Sequence, residues 1–163
     1  GVDVGGVIID RVNDNTDTSF FGDNYLSTTA VSDVFEALAE LVQAQFEDRV
    51  YLVSKCGEKT EQRTLRWLEH TNFFKRTGIQ HVNVRFCRER SGKAPIATKL
   101  GITHFVDDRL EILGSLHMVE NLFLFNPNPK EVARHSVHLG RVDTYQGWQT
   151  AVPDILSRPS TWS

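Results

Sequence analysis

At 163 residues the chain has the length of one domain, and its 40% apolar content is enough to bury a sizeable core. A net charge of −3 argues against bulk nucleic-acid binding, although it leaves room for a local basic patch. Cys56 and Cys87 are too few for a disulfide framework, and no apolar run is long enough to cross a bilayer. With no signal peptide visible, a reducing cytoplasmic setting without a membrane partner is the expectation.

The first stretch, Val2 to Asp10, organises the rest. Asp3 stands at the end of a short β-type run, followed by Gly5, Gly6 and the apolar Val7, Ile8 and Ile9. Such a strand stops at a site, and the glycines let backbone approach a ligand. In an open α/β sheet, ligands bind past the carboxyl ends of the strands, which is where Asp3 falls. No Met opens the chain, so the first strand is open to beginning before Val2.

Residues 10–29 form a polar excursion that holds Asn13, Asp14, Asn15, Asp17, Phe20, Phe21 and Tyr25. It reads as a surface loop or small hairpin beside the site. Residues 31–46 are helical by period, with Val34, Phe35, Leu38, Leu41 and Phe46 on one face and Ser27, Thr28 and Thr29 as candidate caps. A strand over Val50–Val53 ends at Ser54-Lys55-Cys56-Gly57. Glu58 to Glu69 then reads as a helix with Leu65 and Leu68 inward and Trp67 at its edge. Val82–Cys87 is a strand, Arg88–Gly92 a charged loop, and Lys93–Leu100 a helix carrying Pro95 near its start. His104-Phe105-Val106 is a strand ending at Asp107-Asp108, Leu110–Met118 a helix, and Leu122–Phe125 a strand ending at Asn126-Pro127. The tail after Asn128 is less regular, with a closing helix over Trp148–Leu156. Strands alternating with helices imply an α/β fold with a parallel central sheet, a three-layer Rossmann-like sandwich spanning 1–163.

Polar groups recur where these strands end. Asp3-Val4-Gly5-Gly6-Val7-Ile8, Leu52-Val53-Ser54, Gly92-Lys93-Ala94-Pro95 and Phe105-Val106-Asp107-Asp108 appear in that order. Together they resemble the four motifs of the haloacid dehalogenase (HAD) superfamily of phosphohydrolases, over roughly residues 1–127. The residue types suit that chemistry. A carboxylate can attack phosphorus and split one hard step into two. Magnesium lowers the repulsion between two anions and takes oxygen ligands. A helix N-terminus and a hydroxyl hold phosphate oxygens, and a lysine offsets their charge. The resemblance implies Asp3 as nucleophile with Lys93 in the catalytic set, and phosphate binding by Ser54, Lys55, Lys93, Gly5 and Gly6. It implies a Mg²⁺ site from Asp3, Asp107, Asp108 and the backbone carbonyl of Gly5, with a phosphorylated small molecule or macromolecule as substrate.

Two departures matter. Superfamily phosphatases usually carry a second Asp two residues after the nucleophile, as general acid and base; this chain has Gly5. General acid–base catalysis is typically worth about a hundred- to ten-thousand-fold, so the expectation is a slow phosphatase or a relative that binds without turning over. Asp10 or Asp14 is a candidate substitute. Second, neither gap between motifs has room for a large cap domain, so the 10–29 loop is the candidate flap. Other features have plainer readings. The basic stretch Arg85, Arg88, Arg90 and Lys93 is read first as a solvated loop, Cys56 as a small core residue, and His135 and His138 as surface histidines. A homo-oligomer is possible and nucleic acid is not an expected partner. The opening Gly1-to-Gly6 run also resembles the first phosphate motif of sugar kinases and actin-like ATPases, but Val7 stands where that motif continues with Thr, and the later motifs do not match.

Overall fold

The computed structural model describes residues 1–11, 20 and 22–160. Asn13, Asp14, Asn15, Asp17 and Phe21 of the polar excursion therefore lie outside the described residues. The sheet is parallel throughout its strands: β1 (Leu52–Lys55), β2 (Val84–Cys87), β3 (His104–Asp107), β4 (Asn121–Phe125) and β5 (Val142–Tyr145). Between β1 and β3 the segment Gly1–Asp3 occupies the centre. Val2 bridges Leu52 on one side and Val106 on the other. Its backbone is tied both ways, Val53 N–H to Val2 carbonyl at 2.9 Å and Asp3 N–H to Val106 carbonyl at 2.9 Å. The chain thus starts in the middle, builds β1 and β2 outward, and returns to the other side for β3, β4 and β5. That reversal opens a crevice at the carboxyl end of the central segment, the place where ligands bind in open α/β sheets.

Strand residues alternate between two cores, as a period of two requires. Leu52, Val106, Phe123 and Phe125 face one apolar cluster with helices α1 (Val34–Leu41), α2 (Glu58–His70), α3 (Phe73–Thr77) and α7 (Trp148–Leu156). Val53, Phe105, Leu122 and Leu124 face the other, with α4 (Lys93–Leu100) and α5 (Leu110–Ser115). The layering is the predicted three-layer α/β arrangement. The connection from β1 to β2 holds α2 and α3 and no large inserted domain. Among the described residues no helix is long and apolar enough to cross a membrane.

Past Asp3 the N–H groups of Ile8 and Ile9 both reach the Val4 carbonyl, closing a tight turn. Ile9 then pairs antiparallel with Ala30, and Asp10 N–H reaches Thr29 carbonyl at 2.9 Å, so the excursion leaves and returns as the stem of a hairpin. That pairing draws Thr29 and Ala30 into extended chain. Ser27, Thr28 and Thr29 therefore do not cap α1, which starts after Asp33, a residue in the left-handed region without a side-chain cap bond. Trp67 is not at an edge: it is fully buried, its indole N–H donating to Thr28 carbonyl at 2.9 Å, while Leu65 is only half-buried. The tail is more regular than expected. It forms α6 (Pro129–Arg134), capped by the Asn128 side chain, then β5 and α7.

Candidate active site

Asp3 sits at the end of the central segment, almost wholly buried. The turn behind it is shaped by Gly6, at φ 81°, where a Cβ would come within 2.4 Å of Asp108 Oδ2. Gly6 is therefore fixed both by backbone conformation and by the carboxylate that occupies its missing side chain's place. Its N–H is donated to Ile9 carbonyl at 2.9 Å, so this amide serves the turn, which differs from the phosphate-binding expectation. Gly5 is under no such constraint. Among the described residues a Cβ there would meet only Arg11 Nη2, at 4.0 Å.

Lys93 opens α4 and is buried to 1% exposure. Its ammonium donates to Asp3 Oδ1 at 2.8 Å and to Asp107 Oδ2 at 2.9 Å. Burial alone would lower the lysine pKa, but the charges of Asp107 and Asp3 outweigh it and hold it above the ordinary value. Asp107, at the end of β3, is fully buried, and its Oδ1 accepts the Arg109 N–H at 3.0 Å. Burial and the neighbouring Asp3 charge push its carboxyl up to about 6, against the pull of Lys93. Asp108 is pushed up to about 8 by burial and by the charges of Asp3 and Asp107. Its Oδ2 pairs with Arg11 Nη2 at 3.1 Å, and its Oδ1 is buried with no hydrogen-bond partner among the described residues.

Carboxylate oxygens of Asp3, Asp107 and Asp108 lie within 4.8 Å of one another. One buried ammonium and one largely exposed guanidinium face three buried carboxyl groups, too little positive charge to keep Asp107 and Asp108 from being pushed up, and Asp108 Oδ1 has no donor among the described residues. A hard divalent cation with oxygen ligands would repair both deficits, so this donor set fits Mg²⁺. Gly5, two residues past Asp3, lines the same cleft.

The cleft has a volume of about 450 Å³ and is also walled by Ser54 and Lys55 at the end of β1. Ser54 is buried and Lys55 exposed. Beyond them Gly57, Thr60 and Thr64 bring the first turns of α2 to the cleft. All of the sequence-derived site residues except Gly6, Asp107 and Asp108 line it directly. Those three stand immediately behind through the contacts just given. Asp10 also lines the cleft and is exposed; Asp14 lies outside the described residues. Phe20 reaches the cleft from the excursion, whose return limb is held on α2 by Arg63 Nη1, 3.1 Å from the carbonyls of Phe20 and Gly22.

Sequence reading missed Arg11, Arg109 and Glu131, and assigned Arg90 to a solvated loop. Arg90 and Arg109 line the cleft. Glu131 is buried on α6 and its carboxylate accepts the N–H groups of Leu110 and Glu111 at 2.8 and 3.0 Å, capping α5 directly behind the Asp pair. His135 is half-buried, 3.8 Å from Glu111 and Glu131. The His138 ring packs where a side chain at Gly114 would stand. The signal for Arg109 was its place beside Asp107-Asp108. Glu131 and Glu111 meet from 20 residues apart and carry no local signature.

No family model matches the chain, and no curated protein matches it. Among solved structures the fold is similar to one described as a haloacid dehalogenase-like hydrolase from Burkholderia xenovorans LB400. The TM-score is 0.56 over 83% of this chain, at 14% identity. This chain spans 61% of that chain's length. At that identity the likeness shows the fold, which is HAD-like.

Proposed function

We propose that the chain is a Mg²⁺-dependent phosphomonoester hydrolase that works through an aspartyl-phosphate on Asp3. The observation that carries this reading is the convergence of Asp3, Ser54 and Lys93 on one cleft, with Asp107 tied to Lys93 directly behind it and a buried Asp108 oxygen that lacks a hydrogen-bond partner among the described residues. Asp3, Asp107, Asp108 and the Gly5 carbonyl would hold Mg²⁺, which when bound neutralises the carboxylates and withdraws charge from the phosphoryl oxygens.

Asp3 attacks phosphorus, forming a carboxyl–phosphate bond as the ester P–O bond breaks and the alcohol oxygen leaves with the electron pair. Lys93 holds Asp3 in place and offsets the growing negative charge. Ser54, Lys55 and the start of α2 bind the phosphoryl oxygens. Water then attacks phosphorus, releasing inorganic phosphate and restoring the Asp3 carboxylate. With Gly5 in place of an acid, the leaving oxygen takes its proton from solvent and the water lacks a base, so both steps are slow. Gly5 is also the observation that favours a second reading, a protein that binds phosphate and Mg²⁺ with little turnover. With no large inserted domain among the described residues, the cleft admits either a small or a macromolecular phosphorylated substrate, and the free thiols of Cys56 and Cys87 support a reducing compartment.

The test is phosphate release from a panel of phosphomonoesters with and without Mg²⁺, for the parent and Asp3→Asn. Mg²⁺-dependent release abolished by Asp3→Asn supports the hydrolase. Mg²⁺-dependent binding of a phosphate mimic without release supports the binding reading. Neither release nor binding refutes both.

A further inference from the structure

The cleft has a second cationic feature that the chemistry above does not use. Arg90 lies one helical turn before Lys93, in the short 3-10 segment that leads into α4. Arg109 follows the Asp pair, its backbone N–H tied to Asp107. Both are therefore fixed by the same segments that carry the site, and both line the cleft with Asp3. Their guanidinium groups converge on one oxygen, Glu111 Oε2, at 3.2 Å from Arg90 Nη1 and 3.5 Å from Arg109 Nη2. Each guanidinium carries five N–H donors. One carboxylate oxygen cannot satisfy two such groups, and Arg109 Nε is buried with no hydrogen-bond partner among the described residues. The nearby Glu131 carboxylate does not make up the deficit, because it is engaged by the backbone N–H groups of α5. Two forks held side by side at a cleft, one of them with a buried donor left without a partner among the described residues, match a planar or tetrahedral oxyanion.

We infer that the cleft takes phosphomonoesters bearing a second anionic group, a carboxylate or another phosphate, which Arg90 and Arg109 bind while the scissile phosphate lies against Asp3, Ser54 and Lys93. This inference rests on the reading of that inner end as a phosphate site. A substrate of this class spans the cleft from β1 to the start of α5. The second anion fixes its orientation and takes over part of the role that Glu111 plays in the free protein.

A matched pair tests it: 3-phosphoglycerate and glycerol 3-phosphate, which differ in a carboxylate against a hydroxymethyl group. Binding is measured calorimetrically with Mg²⁺, and phosphate release is measured in parallel, for the parent, Arg90→Gln and Arg109→Gln. The parent binds 3-phosphoglycerate at least about tenfold more tightly, and each variant brings that ratio toward one, as loss of a charge-assisted fork requires. Arg90 is half-exposed, so its variant reports even where Arg109→Gln does not fold. A parent ratio near one, or a preference that survives in Arg90→Gln, overturns the inference. Preferential binding without phosphate release from either compound overturns the hydrolase while the second-anion subsite stands. Binding of neither compound overturns both.

Discussion

Gly5→Asp places a carboxyl two residues past Asp3, where the proposed hydrolase lacks an acid, and the described residues accommodate it. Gly5 is not among the glycines in the left-handed region, so Asp adopts its backbone without strain. Among the described residues a Cβ there has Arg11 Nη2 as its nearest neighbour, at 4.0 Å, and the new carboxyl gains that guanidinium as a partner. The same change one residue on, at Gly6, would drive a Cβ into Asp108 Oδ2 at 2.4 Å. If the absent acid limits the natural protein, Gly5→Asp raises kcat for alkyl phosphates by about a hundred- to ten-thousand-fold. That corresponds to about 3 to 5 kcal/mol of barrier. Aryl phosphates, whose leaving oxygen needs no proton, gain far less. The assay is the initial rate of phosphate release with saturating Mg²⁺ on one alkyl and one aryl ester, beside a thermal melt of each protein. A folded, Mg²⁺-binding Gly5→Asp variant no faster than the parent on the alkyl ester refutes the reasoning.

Other consequences follow from the buried charges. Lys93→Met leaves Asp3 and Asp107 without their shared ammonium and should cost about 3 to 5 kcal/mol in urea unfolding without metal, less with Mg²⁺; an unchanged midpoint contradicts the pairing. Glu131→Ala strips two charge-assisted bonds from the start of α5 and should lower stability by about 2 to 4 kcal/mol by the same measurement, with weaker Mg²⁺ affinity because the Asp107-Asp108 turn loses its support. For pH, Asp107 and Asp108 titrate higher in the folded, metal-free protein than in the unfolded chain. The stability they contribute is full below about pH 4 and is lost as pH rises through about 6 and about 8. His104 acts in the opposite sense: burial lowers its imidazole pKa, so its contribution is present above about 6.5 and lost on acidification. The buried α-amino group of Gly1, lowered by burial to about 4, also acts in this opposite sense between about pH 4 and 8 and offsets the carboxyls in the metal-free protein. The stabilisation that Mg²⁺ adds should therefore grow from about pH 6.5 to 8.5, because the ion binds the deprotonated carboxylates. A Mg²⁺-induced rise in melting temperature that stays constant over that range would show that these carboxyls are not raised.

What could be read from the sequence was what local pattern encodes. Lys93–Leu100 and Trp148–Leu156 form helices with the expected ends, and β3 stops at the expected Asp pair, because period and turn residues act within a few positions. The central position of Val2 was implied only by Asp3 and its glycines; two neighbouring strands supply the pairing that a three-residue segment lacks. β5 was missed because Val142–Tyr145 buries little, and its order comes from the ladder with β4. Asn128-Pro129 did carry a helix-start signal for α6, a capping residue followed by proline at the first helical position. Trp67 was misjudged because its indole partner, the Thr28 carbonyl, lies 39 residues away. In the site, the residues on strand ends were legible, whereas Arg11 and Glu131 act through contacts between segments distant in sequence.

The central claim is that Asp3 becomes phosphorylated, and the slow second step implied by Gly5 makes that state accessible. Acid quenching of the Mg²⁺-loaded protein during turnover of an aryl phosphate labelled at phosphorus, followed by peptide mass spectrometry, measures it directly. The account predicts label on the peptide containing Asp3, absent from Asp3→Asn and less abundant in Gly5→Asp, where hydrolysis of the intermediate is restored. Turnover with no label on that peptide, or label that persists in Asp3→Asn, would contradict it.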